Sequence, residues 1–84
     1  MVRTYRQPTL RQIEVFKAVI ETGTVSRAAE TLNMSQPAAS KLLSNLEADS
    51  GLDLFERRRG LLIPTERGQR FYEEVDRIFS GLDQ

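Results

Sequence analysis

The strongest constraint on the fold is a pair of short helical patterns with almost nothing between them. Val25, Ala28, Ala29 and Leu32 recur at i, i+3, i+4 and i+7, the spacing of an amphipathic helix. Thr24 stands before them as a cap, and Asn33 after them tolerates a left-handed turn. Ser35-Gln36-Pro37 then opens a second pattern, because Ser caps helices and Pro fits a first turn. Ala39, Leu42, Leu43 and Leu46 form its apolar face, and Gly51 closes it. Ala28 and Ala29 let the second helix cross close over the first. Helices joined by so short a connection form a helix-turn-helix.

The rest of the chain frames that motif. Residues 1–8 lack periodicity and carry Arg3 and Arg6, so they read as a flexible basic arm, disordered in the absence of a partner. Thr9 caps a first helix with Ile13, Val15, Phe16, Val19 and Ile20 on one arc, Gln12 as a polar intruder and Gly23 as its stop. Two apolar runs, Leu52–Phe55 and Leu61–Ile63, flank Glu56-Arg57-Arg58-Arg59-Gly60, which reads as a five-residue hairpin loop. Thr65 then caps a last helix with Phe71, Val75, Ile78 and Leu82 spaced 4, 3, 4. That spacing is coiled-coil-like but too short for a heptad repeat. The first helix's arc spans about 160°, wide for one contact, which favours self-association through these helices. The order expected from the residues is helix, helix, helix, hairpin, helix, a mainly α chain.

Composition narrows the chemistry. With no Cys and no His among 84 residues, disulfides, cysteine-ligated metals and His-based triads are excluded. No paired acid and base or activated nucleophile stands out, so neither an enzyme nor a cofactor is expected. No apolar run reaches the roughly 20 residues of a membrane helix, and none follows the N-terminus as in a signal peptide. The absence of Cys fits a reducing cytoplasm. Twelve basic residues balance twelve acidic ones, but unevenly. Arg3, Arg6 and Arg11 begin the chain without an acid, Arg57–Arg59 form a run, and the tail is acidic. A neutral chain of this kind can still meet a polyanion locally.

The third helix carries Pro37, Ala38, Ser40, Lys41, Ser44, Asn45 and Ala48 outward, small or polar residues with one cation. Such a face suits the edges of bases in a groove about 12 Å wide. The first-turn N–H groups near Ser35 and Gln36 suit a phosphate. A winged-helix module for protein contact alone is the alternative, and would want an acidic or apolar face there.

Over Leu10 to Gly68 the chain resembles the N-terminal domain of LysR-type transcriptional regulators. The matching pieces are Phe16-Lys17-Ala18-Val19, Gly23 through Leu32, Ser35 through Lys41, Leu46-Glu47, Gly51 through Arg57, and Pro64-Thr65-Glu66-Arg67-Gly68. The resemblance implies a mainly α fold, a winged helix-turn-helix over 9–64 (three helices plus a β-hairpin wing) followed by a linker or dimerisation helix over 65–84. It also implies sequence-specific binding of double-stranded DNA by a homodimer, or a higher oligomer in the full-length protein. It implies base and phosphate contacts at Thr24, Ser35, Gln36, Pro37, Ala38, Ser40 and Lys41, with Arg57 and Arg58 at the minor groove or its phosphates. The dimer interface would fall on Phe71, Val75, Ile78 and Leu82. A small-molecule effector would act only through a C-terminal domain absent here, and these residues would be an excised fragment with its linker helix truncated at Gln84. Leu42, Ser44-Asn45, Ala39 and Asp53 depart from the family's usual choices and lower the charge expected of the third helix.

Overall fold

The computed structural model describes residues 5–82, residue 82 by its backbone alone. The order is α1 (Leu10–Thr22), α2 (Val25–Thr31), α3 (Gln36–Ser50), β1 (Phe55–Arg58), β2 (Leu61–Pro64) and α4 (Glu66–Leu82). This is the winged helix-turn-helix with a following helix that the sequence predicts.

Each of the first three helices begins on a side-chain cap. Thr9 Oγ1 accepts from the Gln12 N–H, and Gln12 Oε1 accepts in return from the Thr9 N–H. Thr24 and Ser35 accept from the N–H groups of Arg27 and Ala38. The α2–α3 turn closes by two reverse bonds, Asn33 N–H to Glu30 C=O and Met34 N–H to Ala29 C=O. Asn33 sits between them at φ 55°, the left-handed conformation such a helix end requires. Ala28, Ala29 and Ala39 are all buried where α2 and α3 meet, which is what small residues at a close crossing permit.

Gln12 corrects the reading of it as an intruder. It is only 5% exposed, and its Nε2 donates to Asp49 on α3 at 3.3 Å. A polar side chain is tolerated inside because its amide is satisfied at both ends. Residues 5–8 are also not the free arm expected. The Arg6 N–H donates to the Asp49 carbonyl at 2.8 Å, and the Tyr5 ring lies on Gly51, where a Cβ would overlap it. Arg3 lies outside the described residues.

The hairpin differs in its turn. The expected five-residue loop shrinks to Arg59-Gly60, both at positive φ (51° and 77°), and Glu56, Arg57 and Arg58 are strand residues paired with Ile63, Leu62 and Leu61. Two successive positive φ values match the right-handed twist of a tight hairpin. The signal is faint in the sequence because Arg, rather than Asn or Asp, stands first in the turn.

Phe16 on α1 is fully buried and joins the later elements to the three-helix core. Its ring lies 5.7 Å from that of Phe55 on β1 and 4.9 Å from that of Phe71 on α4. At the wing's root the Leu54 carbonyl accepts from the Thr65 N–H, and the Thr65 hydroxyl donates to the Asp53 carbonyl while accepting from the Gly68 N–H. Gly68 is buried against the Leu54 backbone, where a Cβ would overlap the Leu54 carbonyl oxygen. Farther along α4, the Tyr72 hydroxyl donates to Glu21 at 2.8 Å, and Lys17 donates to the same oxygen.

Val75 is 3% exposed and Phe71 half-buried, so both serve this chain's own packing, whereas Ile78 is 62% exposed. The side chain of Leu82 lies outside the described residues.

Two outcomes follow from these contacts. Gly68→Ala should lower the stability measured by urea unfolding by roughly 1–3 kcal/mol, because backbone cannot step aside for the new methyl. Helix propensity alone argues the other way, by up to about 1 kcal/mol. Gly81→Ala, with open space around it, isolates that propensity term; a neutral Gly68→Ala would show that the wing root yields. The second outcome concerns Glu21, whose carboxyl is held below its ordinary value, chiefly by the Lys17 hydrogen bond and also by Tyr72. A depressed carboxyl stabilises the fold fully above its unfolded value, and that contribution disappears as pH falls through the folded value. Tyr72 is pushed up to about 12, first by the Glu21 hydrogen bond, so its contribution is full below its unfolded value and is lost as pH rises through about 12. In a carboxyl NMR titration, Lys17→Met should raise the Glu21 pKa more than Tyr72→Phe does. The reverse order would place the controlling contact at the tyrosine.

Candidate nucleic-acid interface

The outward face of α3 follows from its inward one. Ala39, Leu43 and Leu46 are buried, which turns Gln36, Pro37, Ala38, Lys41, Ser44, Asn45 and Ala48 to solvent, with Ser40 half-buried at the boundary. Gln36, Pro37, Ala38, Ser40 and Lys41 therefore share the first turns of one helix. Ser35 caps that helix, and Thr24 is exposed at the start of α2.

The first turn of α3 offers less to an anion than its sequence suggests. Pro37 has no N–H, and the Ala38 N–H is taken by Ser35 Oγ. The Gln36 N–H and the Ser35 hydroxyl proton are left to donate outward.

Electrostatically, the helix is asymmetric in a useful way. Its two acids are both turned aside. Glu47 Oε2 accepts from the N–H groups of Leu54 and Phe55 at 2.9 and 3.2 Å, and Asp49 accepts from Gln12. Lys41 is exposed and forms no ion pair among the described residues. The outward face thus carries one cation and no acid, although the chain as a whole is neutral. Glu47 and Asp49 do not stand out in the sequence as site residues. The signals for Glu47 are its place in the Leu46-Glu47 piece of the family resemblance and an acid beside an apolar Leu, at the edge of an amphipathic helix.

The wing presents its cations in two directions. Side chains alternate along β1, so Arg57 shares a face with inward-turned Phe55, while Arg58 shares the opposite face with Glu56. Arg58 pairs with Glu56 at 3.2 Å, and Arg57 and Arg59 form no ion pair among the described residues. Leu61 and Ile63, on the Glu56–Arg58 side, are 62% and 37% exposed.

A depression of about 580 Å³ lies between the wing root and the start of α4, lined by Asp53, Phe55, Glu56, Thr65, Glu66 and Arg67. No α3 residue lines it, and its three acids disfavour an anion. Among the described residues no cluster of acids could hold a metal ion, and no helix is long and apolar enough to cross a membrane.

Known proteins share both the sequence and this geometry. The HTH-type transcriptional regulator DgcR of Pseudoalteromonas sp is 50% identical over 73 residues, 87% of this chain and 25% of that protein. The transcriptional activator protein LysR of Escherichia coli strain K12 is 49% identical over 75 residues, 89% of this chain and 24% of that protein. The chain thus spans about a quarter of the length of these relatives. Among solved structures, the BenM DBD complexed with catB site 1 DNA superimposes with a TM-score of 0.83 at 34% identity, covering 90% of this chain and 84% of that one. The CbnR DBD–DNA complex gives 0.80 at 36% identity, covering 89% and 86%. The sequence model of the bacterial regulatory helix-turn-helix proteins, lysR family, matches residues 10–69, and the chain belongs to that family.

Proposed function

We propose that this chain is the DNA-binding module of a LysR-type transcription regulator, binding double-stranded DNA sequence-specifically as a homodimer in the cytoplasm. The observation that carries this reading is the outward face of α3: small, polar, cationic at Lys41, with both of its acids bound elsewhere. A protein-contact module would want an apolar or acidic face there, and this one is neither. The BenM and CbnR relatives of the same fold, solved with DNA, support the same partner. Effector sensing is assigned to a separate C-terminal domain.

In this reading α3 enters the major groove with its N-terminal turns against the base edges. The Gln36 amide offers a donor and an acceptor together, the match for adenine N6 and N7. Ser40 and Lys41 follow one turn later. Pro37 and Ala38 allow close approach and apolar contact with thymine methyls. Ser35 and Thr24 serve phosphates, as do Arg57 and Arg58 from the wing or through the minor groove. Arg57 and Arg58 face opposite ways along β1, so they act on different phosphates or different groove walls.

Dimerisation is assigned to the outer side of α4. Ile78 is the exposed apolar residue there, with Leu82 one turn on, while Phe71 and Val75 contribute chiefly from within the protomer. A Val75 substitution would therefore test folding rather than assembly.

Gln36→Ala should cost about 1–3 kcal/mol on a preferred duplex selected from a random pool, the range for a good bidentate base contact. Binding to mixed-sequence duplex should barely change, because phosphate contacts remain. Competition titrations decide it: equal losses on both duplexes would mean that Gln36 orients the helix without reading bases. For assembly, Ile78→Glu should shift sedimentation from dimer to monomer while circular dichroism stays helical. An unmodified chain that sediments as a monomer even on DNA would refute the α4 interface.

A further inference from the structure

Besides the Phe16–Phe55 contact, the described residues show the wing attached by polar bonds of two different characters. On the α4 side it is continuous with the chain. β2 ends at Pro64, and Thr65 binds back to the carbonyls of Leu54 and Asp53. On the α3 side, among the described residues, the Glu47 carboxylate makes the polar attachment, its Oε2 accepting from the adjacent N–H groups of Leu54 and Phe55. Bonds from N–H groups to an ionised carboxylate are roughly twice as strong as those between neutral partners. Leu54 is fully buried, so without the carboxylate its N–H would lack a partner there.

We propose that Glu47 is a positioning residue for DNA binding, which fixes the wing relative to α3 so that both engage one duplex together. The proposal rests on the DNA-binding reading. Glu47 sits on the helix that carries Gln36, Ser40 and Lys41, and it grips the strand that carries Arg57 and Arg58. Its own side chain touches neither face. Removing it leaves the Phe16–Phe55 contact and the Thr65 bonds in place, so the hairpin stays formed and attached to α4. The hairpin then loses its polar hold on α3 and can shift relative to that helix about the remaining Phe55 and Thr65 contacts. A helix and a wing that no longer share one fixed spacing cannot both meet their phosphates without ordering the wing at the moment of binding. Glutamate has the reach for two amides seven and eight residues away, and aspartate at the same place would fall short by one methylene.

The test is a cycle of variants in the full chain: Glu47→Ala, Glu47→Gln, Arg57→Ala with Arg58→Ala, and Glu47→Ala combined with that pair. Binding to a mixed-sequence duplex is followed by fluorescence anisotropy over a series of salt concentrations. Glu47→Ala should weaken binding by about the same factor as the arginine pair. It should also reduce the slope of log K against log salt by about 0.9 for each phosphate that is no longer neutralised. Adding it to the arginine pair should weaken binding no further, because the groups it positions are already removed. Glu47→Gln, which keeps an acceptor oxygen, should lie between. Amide exchange should accelerate at Leu54 and Phe55 while α1 to α3 stay protected. Losses that add in the combined variant would mark Glu47 as merely structural and overturn the proposal. So would unchanged affinity in Glu47→Ala or in the arginine pair. If Glu47→Ala does not fold, Glu47→Gln in both backgrounds carries the same comparison. An unmodified chain that binds no duplex overturns the DNA-binding reading itself and this proposal with it, whereas binding with additive losses overturns this proposal alone.

Discussion

The peptide groups on either side of Leu54 are the point on which everything after α3 depends. The Leu54 N–H is held by Glu47 of α3, its carbonyl is held by Thr65 at the head of α4, and its side chain is fully buried. Gly68 presses on the same backbone. A buried stretch of chain has to satisfy its polar groups, and here different elements do so from opposite sides. The wing's place and the direction in which α4 leaves the core follow from that arrangement. Phe16 completes it with apolar contacts to Phe55 and Phe71, so the helix that organises the core also fixes the wing and the last helix.

Much of this was legible in the sequence, and the legible parts share a cause. Thr9, Thr24 and Ser35 cap as their identities predict, and Gly23, Asn33 and Gly51 all take positive φ. Caps and stops act within a few residues, so local sequence is enough to find them. The misreadings involve partners far along the chain. Gln12 looked like a blemish on an apolar face because its partner Asp49 lies 37 residues on. The arm looked free because its anchors, Asp49 and Gly51, are also remote. The turn at Arg59-Gly60 was hidden because pairing of Arg57 with Leu62, and not residue preference, sets its length.

The outward face of α3 divides in the same way. Gln36, Ser40 and Lys41 follow from helical spacing once the buried Ala39, Leu43 and Leu46 are recognised. What spacing does not reveal is that the helix's two acids leave that face to bind amides elsewhere. A count of charges along α3 gives a net acid, one lysine against Glu47 and Asp49. The folded arrangement gives a cationic surface. Hydrogen bonding to the carboxylates is therefore as much a part of the electrostatics as the presence of Lys41. The neutral total of the chain says little about what this face attracts.

On the DNA-binding reading, the same carboxylates link stability to recognition. An acid on a DNA-facing helix is repelled by phosphate unless it is turned away. Turning it away requires donors that the fold must supply from another element. Here Leu54 and Phe55 supply them for Glu47, and Gln12 supplies one for Asp49. Each such bond removes a negative charge from the outward face and ties α3 to a neighbour, the wing on one side and α1 on the other. Replacing both Glu47 and Asp49 with Lys would add positive charge to α3, and a charge count alone would favour tighter binding. It would also remove the acceptors that hold the helix in place. Two like-charged groups would replace two anchored ones, with the Leu54 amide left buried and unpaired. On the proposed DNA-binding reading, in which α3 meets a groove at a fixed angle, the disturbed geometry outweighs the gained charge, because phosphate attraction falls with salt whereas the spacing between helix and wing does not.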